Sequence, residues 1–344
     1  MRHSRWHHVL RCFAVTGCAA LVPAIASAEQ SRPFYAGKQL TIVVGLPPGG
    51  GADTYARLVQ RYLARHIPGT PTILVQNMPG AGSLKSVMYL NTTAPADGTV
   101  MVTFSSALID EALTAPERVK IDFRNYRWIG NVSEDVRVCY VWGASGVKNW
   151  QDMIARPRAL FMGATAPGTA GNADTAMLQN LFGVKIRQVQ GYAGSADKRL
   201  AVERREIDGD CGGWTAVPED WLQGKKINVI VRLSPTLAPG LDKSVPFGGD
   251  LVKDQRQRKL YDFLIAPERL GRLFMVSNKV PADRVAVLRA AFDAVVADPG
   301  FRSEAQKIKL LVTPMTGDEV SHHIAELYAT PPDILAKAKA IVGD

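Results

Sequence analysis

The residues best suited to chemistry lie in a loop of two prolines and three glycines, Pro47 to Gly51, between a predicted strand and a predicted helix. Glycines leave backbone N–H groups uncovered by side chains, and Asp53 is a candidate N-cap for the helix that follows. Such a loop directs free N–H groups and the positive end of a helix dipole at one point. We therefore expect an anion to bind there. The alternative is a plain strand-to-helix turn, although such a turn rarely needs three glycines.

The same glycines do not form a nucleotide-binding motif. A P-loop requires Lys and then Ser or Thr after its last glycine, whereas Gly51 is followed by Ala52, Asp53 and Thr54. The dinucleotide fingerprint G-x-G-x-x-G is also absent from this stretch. Asp53 would repel a triphosphate, whereas a carboxylate carries one charge and is satisfied by a few N–H donors. The loop therefore predicts a small carboxylate as its ligand.

A short strand and an amphipathic helix hold this loop. Residues 41–44 are β-branched or apolar, as in a buried parallel strand. The apolar residues of the helix recur at helical spacing, namely Tyr55, Leu58, Val59, Tyr62 and Leu63. Further strands at 72–76 and 99–104, with a helix between them, predict a parallel sheet flanked by helices. Ser105 and Ser106 follow the last of these strands, at the carboxyl end where ligands bind in open α/β sheets.

The order of strand, glycine-containing loop and helix occurs a second time in residues 159–182. Its loop contains Thr165, Gly168 and Thr169. Tyr192 and Trp214 follow or end later predicted strands. Each of these aromatic residues either contacts a ligand or packs in the core, and the sequence leaves both alternatives open.

Strand-like runs at residues 136–142 and 226–233 are predicted to carry the chain into and out of a second domain. Domain 1 would then consist of residues 29–135 and 234–344, and domain 2 of residues 136–233. Without residues 1–28, the 344-residue chain keeps 344 − 28 = 316 residues, which fit two domains of ordinary size.

Residues 1–28 have the pattern of a cleaved secretory signal peptide. A cationic start is followed by an apolar run, and an A-x-A cleavage site ends at Ala28. The run is too short to span a bilayer, so we expect a periplasmic protein. Residues 15–18 resemble a lipoprotein box, and lipidation at Cys18 stays an alternative.

Charge and cysteine content narrow the class of protein further. The formal net charge is +9, but Lys and Arg are scattered rather than concentrated in the stripe that nucleic acid requires. We therefore expect no nucleic-acid partner. An exported protein folds in an oxidising compartment. Cys139 and Cys211 would there form either a disulfide or two buried thiols. No cofactor or metal-binding pattern is present in the sequence, so we expect neither.

An ordered set of motifs resembles the Bug family, the extracytoplasmic solute receptors of tripartite tricarboxylate transporters. The motifs are P-P-G-G-G-A-D at residues 47–53, Q-N-M-P-G-A-G at 76–82, A-D-G-T at 96–99, G-Y-A-G-S-A at 191–196 and A-D-P at 297–299. Together they span nearly the whole chain after the signal peptide. The sequence departs from the family's pattern in three places. Met78 stands where the family usually has an arginine, and the loop at 164–169 and the strand at 208–214 differ from the family's motifs.

The resemblance implies a two-domain α/β protein with the type II periplasmic-binding fold. Its sheets would be mostly parallel and flanked by helices, with two crossover strands as the hinge. In this family, the loops at 47–53 and 164–172 pinch one ligand carboxylate, partly through water. The predicted ligand-binding residues are Pro48, Gly49, Gly50, Gly51, Ala52, Asp53, Ser105, Ser106, Thr165, Gly168, Thr169, Tyr192 and Trp214. We expect a monomer that binds a small organic acid and delivers it to the membrane subunits of a transporter, without catalysis.

Two other functions remain open on the sequence. A secreted α/β hydrolase would need a nucleophile and a base, but neither G-x-S-x-G nor H-E-x-x-H occurs. Asp208 and Asp210 could act as paired carboxylates, although turn or site-rim roles are the simpler interpretation, and the adjacent His322 and His323 are expected to be solvated. A sensory role alongside ligand binding is the third possibility.

Overall fold

The computed structural model describes residues 32–165 and 169–342, so the predicted signal peptide lies outside the described residues. Two sheets with flanking helices form two lobes. The strands are β1 Gln39–Val44, β2 Thr72–Asn77, β3 Val100–Thr103, β4 Tyr126–Asn131, β5 Arg137–Trp142, β6 Leu160–Gly163, β7 Ile186–Val189, β8 Gly209–Gly213, β9 Ile227–Arg232, β10 Leu273–Ser277 and β11 Met315–Thr316. The helices are α1 Gly51–Leu63, α2 Leu84–Thr92, α3 Ala107–Thr114, α4 Trp150–Ala155, α5 Ala170–Asn180, α6 Ser195–Glu203, α7 Glu219–Gln223, α8 Gln255–Ile265, α9 Ala282–Ala297, α10 Pro299–Lys307, α11 Gly317–Tyr328 and α12 Pro332–Val342. Within the described part of the chain, none of these helices combines the length and apolar character needed to cross a membrane.

The first lobe is built on a six-stranded sheet with the order β11-β4-β10-β3-β1-β2. Its strand β1 is parallel to both β2 and β3. Leu40, Ile42 and Val44 pack on one face of this sheet, and Val43 packs on the other. Both faces of β1 are therefore buried, which is why residues 41–44 read as a continuous apolar run.

The second lobe is built on a five-stranded sheet with the order β7-β6-β8-β5-β9. Helices α5 and α6 pack against β8 of this sheet. Cys139 of β5 and Cys211 of β8 lie opposite each other in the ladder and form a disulfide. The structure therefore selects the disulfide from the two alternatives that the sequence left open.

The predicted fold class is confirmed, since both lobes are α/β units with helices on their sheets. One detail differs, because the sheets are mixed rather than mostly parallel. Among the described strands, β1, β2 and β3 are parallel, as are β6, β7 and β8. Strands β10, β4 and β11 are antiparallel to their neighbours in the first sheet, and β5 is antiparallel to β8 and β9 in the second. Strand β4 leads through the crossover segment into β5 of the other sheet, and β9 leads back toward the first lobe, so neither sheet is built of β-α-β units alone.

The two crossover segments run side by side. The backbone N–H of Leu233 donates to the carbonyl of Arg137 at 2.8 Å. The hydroxyl of Ser234 accepts the N–H of Arg137 at 3.2 Å and donates to the carboxyl group of Glu268 at 2.6 Å. Strands β4 and β10 belong to the first sheet, and β5 and β9 belong to the second. The division into domains at residues 136 and 234 stays a prediction.

Candidate functional site

A cavity of about 220 Å³ lies between the two lobes. Its lining comes from loops at the carboxyl ends of β1, β3, β6, β7 and β8. This volume is below the roughly 300–1,000 Å³ of pockets for drug-sized ligands. The cavity therefore has the size for a small metabolite.

The first turns or N-caps of five helices line this cavity. The residues concerned are Gly50 to Ala52 of α1, Ser83 before α2, Ser106 before α3, Thr169 to Gly171 of α5, and Gly194 and Ser195 of α6. The first N–H groups of a helix have no partner inside the helix, and the helix dipole places a partial positive charge there. The lining is therefore suited to an anion.

Asp53, in the first turn of α1, holds the loop that precedes this helix. Helix α1 begins at Gly51 with Gly50 as its N-cap, so the prediction that Asp53 caps this helix is wrong. Asp53 lies three positions after the N-cap, inside the first turn, because Gly50 already has the extended backbone of a cap. Its buried carboxylate instead accepts hydrogen bonds from the N–H of Gly49 and from the side chains of Arg57 and Asn77, at 3.0–3.1 Å.

The protonation of Asp53 follows from these contacts. Burial acts to raise the pKa of this carboxyl group, but the hydrogen bonds from Arg57, Gly49 and Asn77 together hold the pKa below its usual value. The ionised carboxylate ties the loop, through the N–H of Gly49, to the side chains of Arg57 and Asn77. Pro48 and Gly49 also belong to the loop but lie outside the lining of the cavity, as Asp53 does.

Several other predicted site residues are brought together at the cavity. Ser105 and Ser106 line it, and the N–H of Ser105 donates to the hydroxyl of Ser83 at 3.0 Å. On the opposite lobe, Thr165 and Thr169 line it, with their hydroxyl oxygens 2.7 Å apart. Gly168 lies outside the described residues.

The two predicted aromatic residues occupy different places. Tyr192 lines the cavity. Trp214 is 7% exposed, packs in the core of the second lobe and donates its indole N–H to the carbonyl of Pro239 at 2.9 Å. It lies outside the lining of the cavity, in the core arrangement that was the alternative for this residue.

The two lobes touch beside the cavity at positions where a side chain would interfere. A Cβ atom added to Gly51 would lie 2.7 Å from Nη2 of Arg272 and 3.1 Å from Oγ1 of Thr215, which belongs to the second lobe. A Cβ atom added to Gly194 would lie 3.1 Å from Cγ of Pro47 in the first lobe. Both glycines therefore permit the close approach of the lobes around the cavity.

The floor of the cavity carries a buried network of charges that the sequence analysis missed. Asp135, in the crossover segment, accepts from Nη1 of Arg137 at 3.0 Å and from Nη2 of Arg272 at 2.6 Å. Arg137 also donates from Nε to Asp174 of α5 at 2.6 Å. Lys198 of α6 separately donates to Asp210 of β8 at 2.5 Å. Three cations thus lie beside the helix N-termini, each paired with a carboxylate.

Burial raises the pKa of the carboxyl groups in this network, and the ion pairs lower it. For Asp135, burial raises the pKa, but Arg272 and Arg137 outweigh it and hold the pKa below its usual value. Burial dominates for Asp174 and Asp210 and raises the pKa of each, and it raises the pKa of Glu268 well above its ordinary value. Asp135 is therefore the carboxylate of this network that is held most firmly in its ionised form.

The sequence did contain weak signals of this network. Arg137 begins an otherwise apolar strand, and Asp210 lies inside a buried one. A charged residue in a buried strand requires a partner, but the sequence does not tell which distant residue supplies it.

The carboxylates and histidines that the sequence analysis considered for catalysis each have partners of their own. Asp208 and Asp210 have separate partners, since Asp208 accepts the N–H of Phe161 and Asp210 binds Lys198. His322 and His323 both pair with Glu326 on α11. Among residues 32–165 and 169–342, no group of three or more His, Cys, Asp or Glu side chains is arranged to hold a metal ion.

Comparison with known proteins agrees with this architecture. BugD, a periplasmic binding protein, matches with a TM-score of 0.71 and 17% identity over 90% of this chain and 99% of its own. An R. palustris protein solved with adipate matches with a TM-score of 0.70 and 19% identity, covering 88% of this chain and 98% of its own. MatC from Rhodopseudomonas palustris, solved with bound malate, matches with a TM-score of 0.69 and 16% identity. This match covers 89% of this chain and 99% of MatC.

Sequence comparison gives a weaker match. A segment of 183 residues, 52% of this chain, is 25% identical to the "UPF0065 protein in the TAR-I ttuE-ttuC' intergenic region" of Agrobacterium vitis. The match spans 51%, about half, of that relative's length. No protein-family model matches the chain.

The chain has the two-domain fold of the periplasmic binding proteins. Within that class, the resemblance to the Bug family that the motifs predicted is confirmed, because BugD and similar periplasmic binding proteins are among its structural neighbours.

Proposed function

We propose that this protein is a periplasmic solute-binding protein that captures a small carboxylated metabolite in the cleft between its lobes. The observation that carries the proposal is the set of five helix N-termini around a cavity of about 220 Å³. The structural neighbours solved with adipate and malate, both small organic acids, support the same ligand class. The UPF0065 relative, whose designation refers to the Bug family, supports it as well.

The available interactions are strong enough for useful affinity. A hydrogen bond to a charged group contributes about 1.5–3 kcal/mol, and a partly buried helix terminus up to about 2 kcal/mol. Three or four N–H or hydroxyl donors at the N-termini of α1 and α5, with apolar contact from Tyr192, would reach the roughly 8 kcal/mol of a micromolar complex. The cations beneath the cavity add to the positive potential but already have carboxylate partners.

The cellular role follows from the predicted signal peptide and the resemblance. Residues 1–28 would direct the chain to the periplasm, where the bound acid is delivered to the membrane subunits of a tripartite tricarboxylate transporter. The protein would act as a monomer and without catalysis. Recovery of the transporter's membrane subunits with the tagged, ligand-loaded protein tests this part of the proposal. Recovery of a membrane kinase instead would favour a sensory role.

A thermal-shift screen of the purified protein tests the binding proposal. The panel pairs each mono-, di- and tricarboxylic acid with its primary amide, which keeps the shape and removes the charge. We expect the melting temperature to rise with at least one acid and to stay unchanged with the matching amide. Equal shifts for acid and amide, or no shift with any acid, would contradict the proposal.

A further inference from the structure

A second cavity of about 490 Å³ also lies between the two lobes. The first lobe contributes Lys307 and Ile308 at the end of α10, and the second lobe contributes Trp214 and Leu222. This volume is within the roughly 300–1,000 Å³ of pockets that hold drug-sized ligands. The second cavity is therefore large enough to take part of a ligand.

Thr215 marks the boundary between the two cavities. Among the described residues, it is the only one that lines both of them. Its neighbours in the chain are divided, since Trp214 lines the second cavity and Ala216 lines the first. Thr215 is half-buried, so part of its surface remains accessible. The boundary therefore runs through the short turn Trp214–Ala216.

The side chain of Thr215 supplies the contact between the lobes at this boundary. Its Oγ1 atom lies 3.1 Å from the point that a Cβ atom on Gly51 would occupy. Gly51 belongs to the first lobe and has no side chain, so the side chain of Thr215 spans the gap from the second lobe. Gly51 also begins α1, the helix whose N-terminus we propose for the ligand's carboxylate. A ligand chain that extends from that carboxylate toward Thr215 therefore meets this side chain.

The walls of the second cavity suit a hydrocarbon chain that ends in an anion. Leu222 and Ile308 are apolar, and Ile308 is 46% exposed. Lys307 and Lys309 place two positive charges on the same wall, and Glu219 offsets one of them through an ion pair with Lys309 at 2.6 Å. The far end of a longer dicarboxylate would therefore find both apolar contact and positive charge there.

We infer that the side chain of Thr215 is a partition that limits the length of the ligand, so that the wild-type protein selects short organic acids. This inference rests on the proposed function of the cleft. Removing the side chain beyond Cβ would join the two cavities, and a longer unbranched dicarboxylate would then place its chain in the second cavity. The limit is steric, because a methyl group fills the gap as well as a hydroxyl group of similar size.

Titration calorimetry with unbranched dicarboxylates of different length tests the inference. Octanedioate carries four more methylene groups than succinate. In the wild-type protein we expect octanedioate to bind at least about tenfold more weakly than succinate, because an overfilled cavity is strained. In Thr215→Ala, octanedioate should bind about tenfold tighter than it does to the wild type, since each methylene group that is buried contributes up to about fourfold. The affinity for succinate should stay within about twofold.

Two further variants separate the size of the side chain from its other properties. Thr215→Val replaces the hydroxyl by a methyl group, so it should keep the wild-type preference for succinate. Adding Ile308→Asp to Thr215→Ala places a negative charge on the wall of the second cavity, at a side chain exposed enough to accept it. The gain for octanedioate should then be lost, while the affinity for succinate should stay that of Thr215→Ala.

The outcomes separate this inference from the proposed function. If the wild-type protein binds octanedioate as tightly as succinate, the length limit is wrong and the carboxylate receptor stands. If Thr215→Ala shows no gain for octanedioate, or if Thr215→Val shows the same gain, the side chain of Thr215 is not the partition. A gain that persists with Ile308→Asp would show that the chain does not enter the second cavity. If neither acid nor any other carboxylate binds the wild-type protein, the proposed function fails and the length limit fails with it.

Discussion

The guanidinium of Arg137 donates from Nε to the carboxylate of Asp174 at 2.6 Å, and both side chains are buried. Arg137 begins strand β5 next to the crossover, and Asp174 lies in the second turn of α5. The pair therefore fixes the helix whose N-terminus faces the cavity to the segment that joins the lobes.

The first prediction concerns this pair. Asp174→Asn should lower the free energy of unfolding by about 3 kcal/mol, because the buried guanidinium of Arg137 then keeps only Asp135 as a close carboxylate partner, which it shares with Arg272. Urea denaturation measures the change. Asp333→Asn is the matched control, since its ion pair with Lys337 is solvent-exposed on α12, and we expect a change within about 0.5 kcal/mol. Similar small changes in both variants would show that the buried pair does not stabilise α5.

The second prediction uses the pH dependence of Asp53. Its pKa is held below the usual 3.8, because the hydrogen bonds from Arg57, Gly49 and Asn77 together outweigh burial. A carboxyl group of this kind stabilises the folded protein above its unfolded pKa and loses that contribution as the pH falls through the folded value. Asp53→Asn should therefore be less stable than the wild type at pH 7.

The stability difference between wild type and Asp53→Asn should shrink as the pH falls below about 4, as followed by thermal unfolding at a series of pH values. If the stability difference between the two proteins stays constant down to the lowest pH measured, the ionised form of Asp53 does not hold the loop. Asp318→Asn, at an exposed side chain on α11, controls for general effects of acid.

The third prediction concerns the disulfide between Cys139 and Cys211. The bond links residues 72 positions apart, so the double variant Cys139→Ala/Cys211→Ala should lose about 4 kcal/mol of unfolding free energy on the chain-entropy estimate. Denaturation of the wild-type protein with and without a reductant provides a second measurement. If the double variant and the wild type unfold at the same denaturant concentration, the bond does not contribute to stability.

The local units of the fold could be predicted from the sequence because their signals are local. The run at residues 41–44, the glycine loop and the stripe of Tyr55, Leu58 and Val59 together specify β1, its loop and α1. Helices α9 and α11 follow the same rule, since their buried apolar residues recur at helical spacing. It misplaced the N-cap of α1, because an acidic residue in the first turn and a capping residue have similar sequence signals.

The charged floor of the cavity could not be predicted in the same way. Asp135 joins arginines that are 2 and 137 positions away in the sequence, and only the fold brings Arg272 to it. Trp214 illustrates the opposite case, because its place at a strand end suggested a ligand contact, whereas its indole packs in the core and donates to Pro239. Pairings between distant residues depend on the arrangement of the lobes, which local patterns do not encode.

The N-cap of α1 gives the most direct test of anion capture by the cleft. A Cβ atom at Gly50 meets only the carbonyl of Pro47, at 3.8 Å, and its φ of −90° suits any residue. Gly50→Asp and Gly50→Ala should therefore both fold. The aspartate, however, places a negative charge at the N-terminus and accepts the N–H groups that the ligand would use.

The measurement is the dissociation constant, by calorimetry, of the acid that gives the largest thermal shift. We predict that Gly50→Asp weakens binding by about 10- to 100-fold relative to Gly50→Ala, which corresponds to the loss of one charge-assisted hydrogen bond. Equal affinity of the two variants would contradict the account, because the N-terminus of α1 would then not bind the carboxylate.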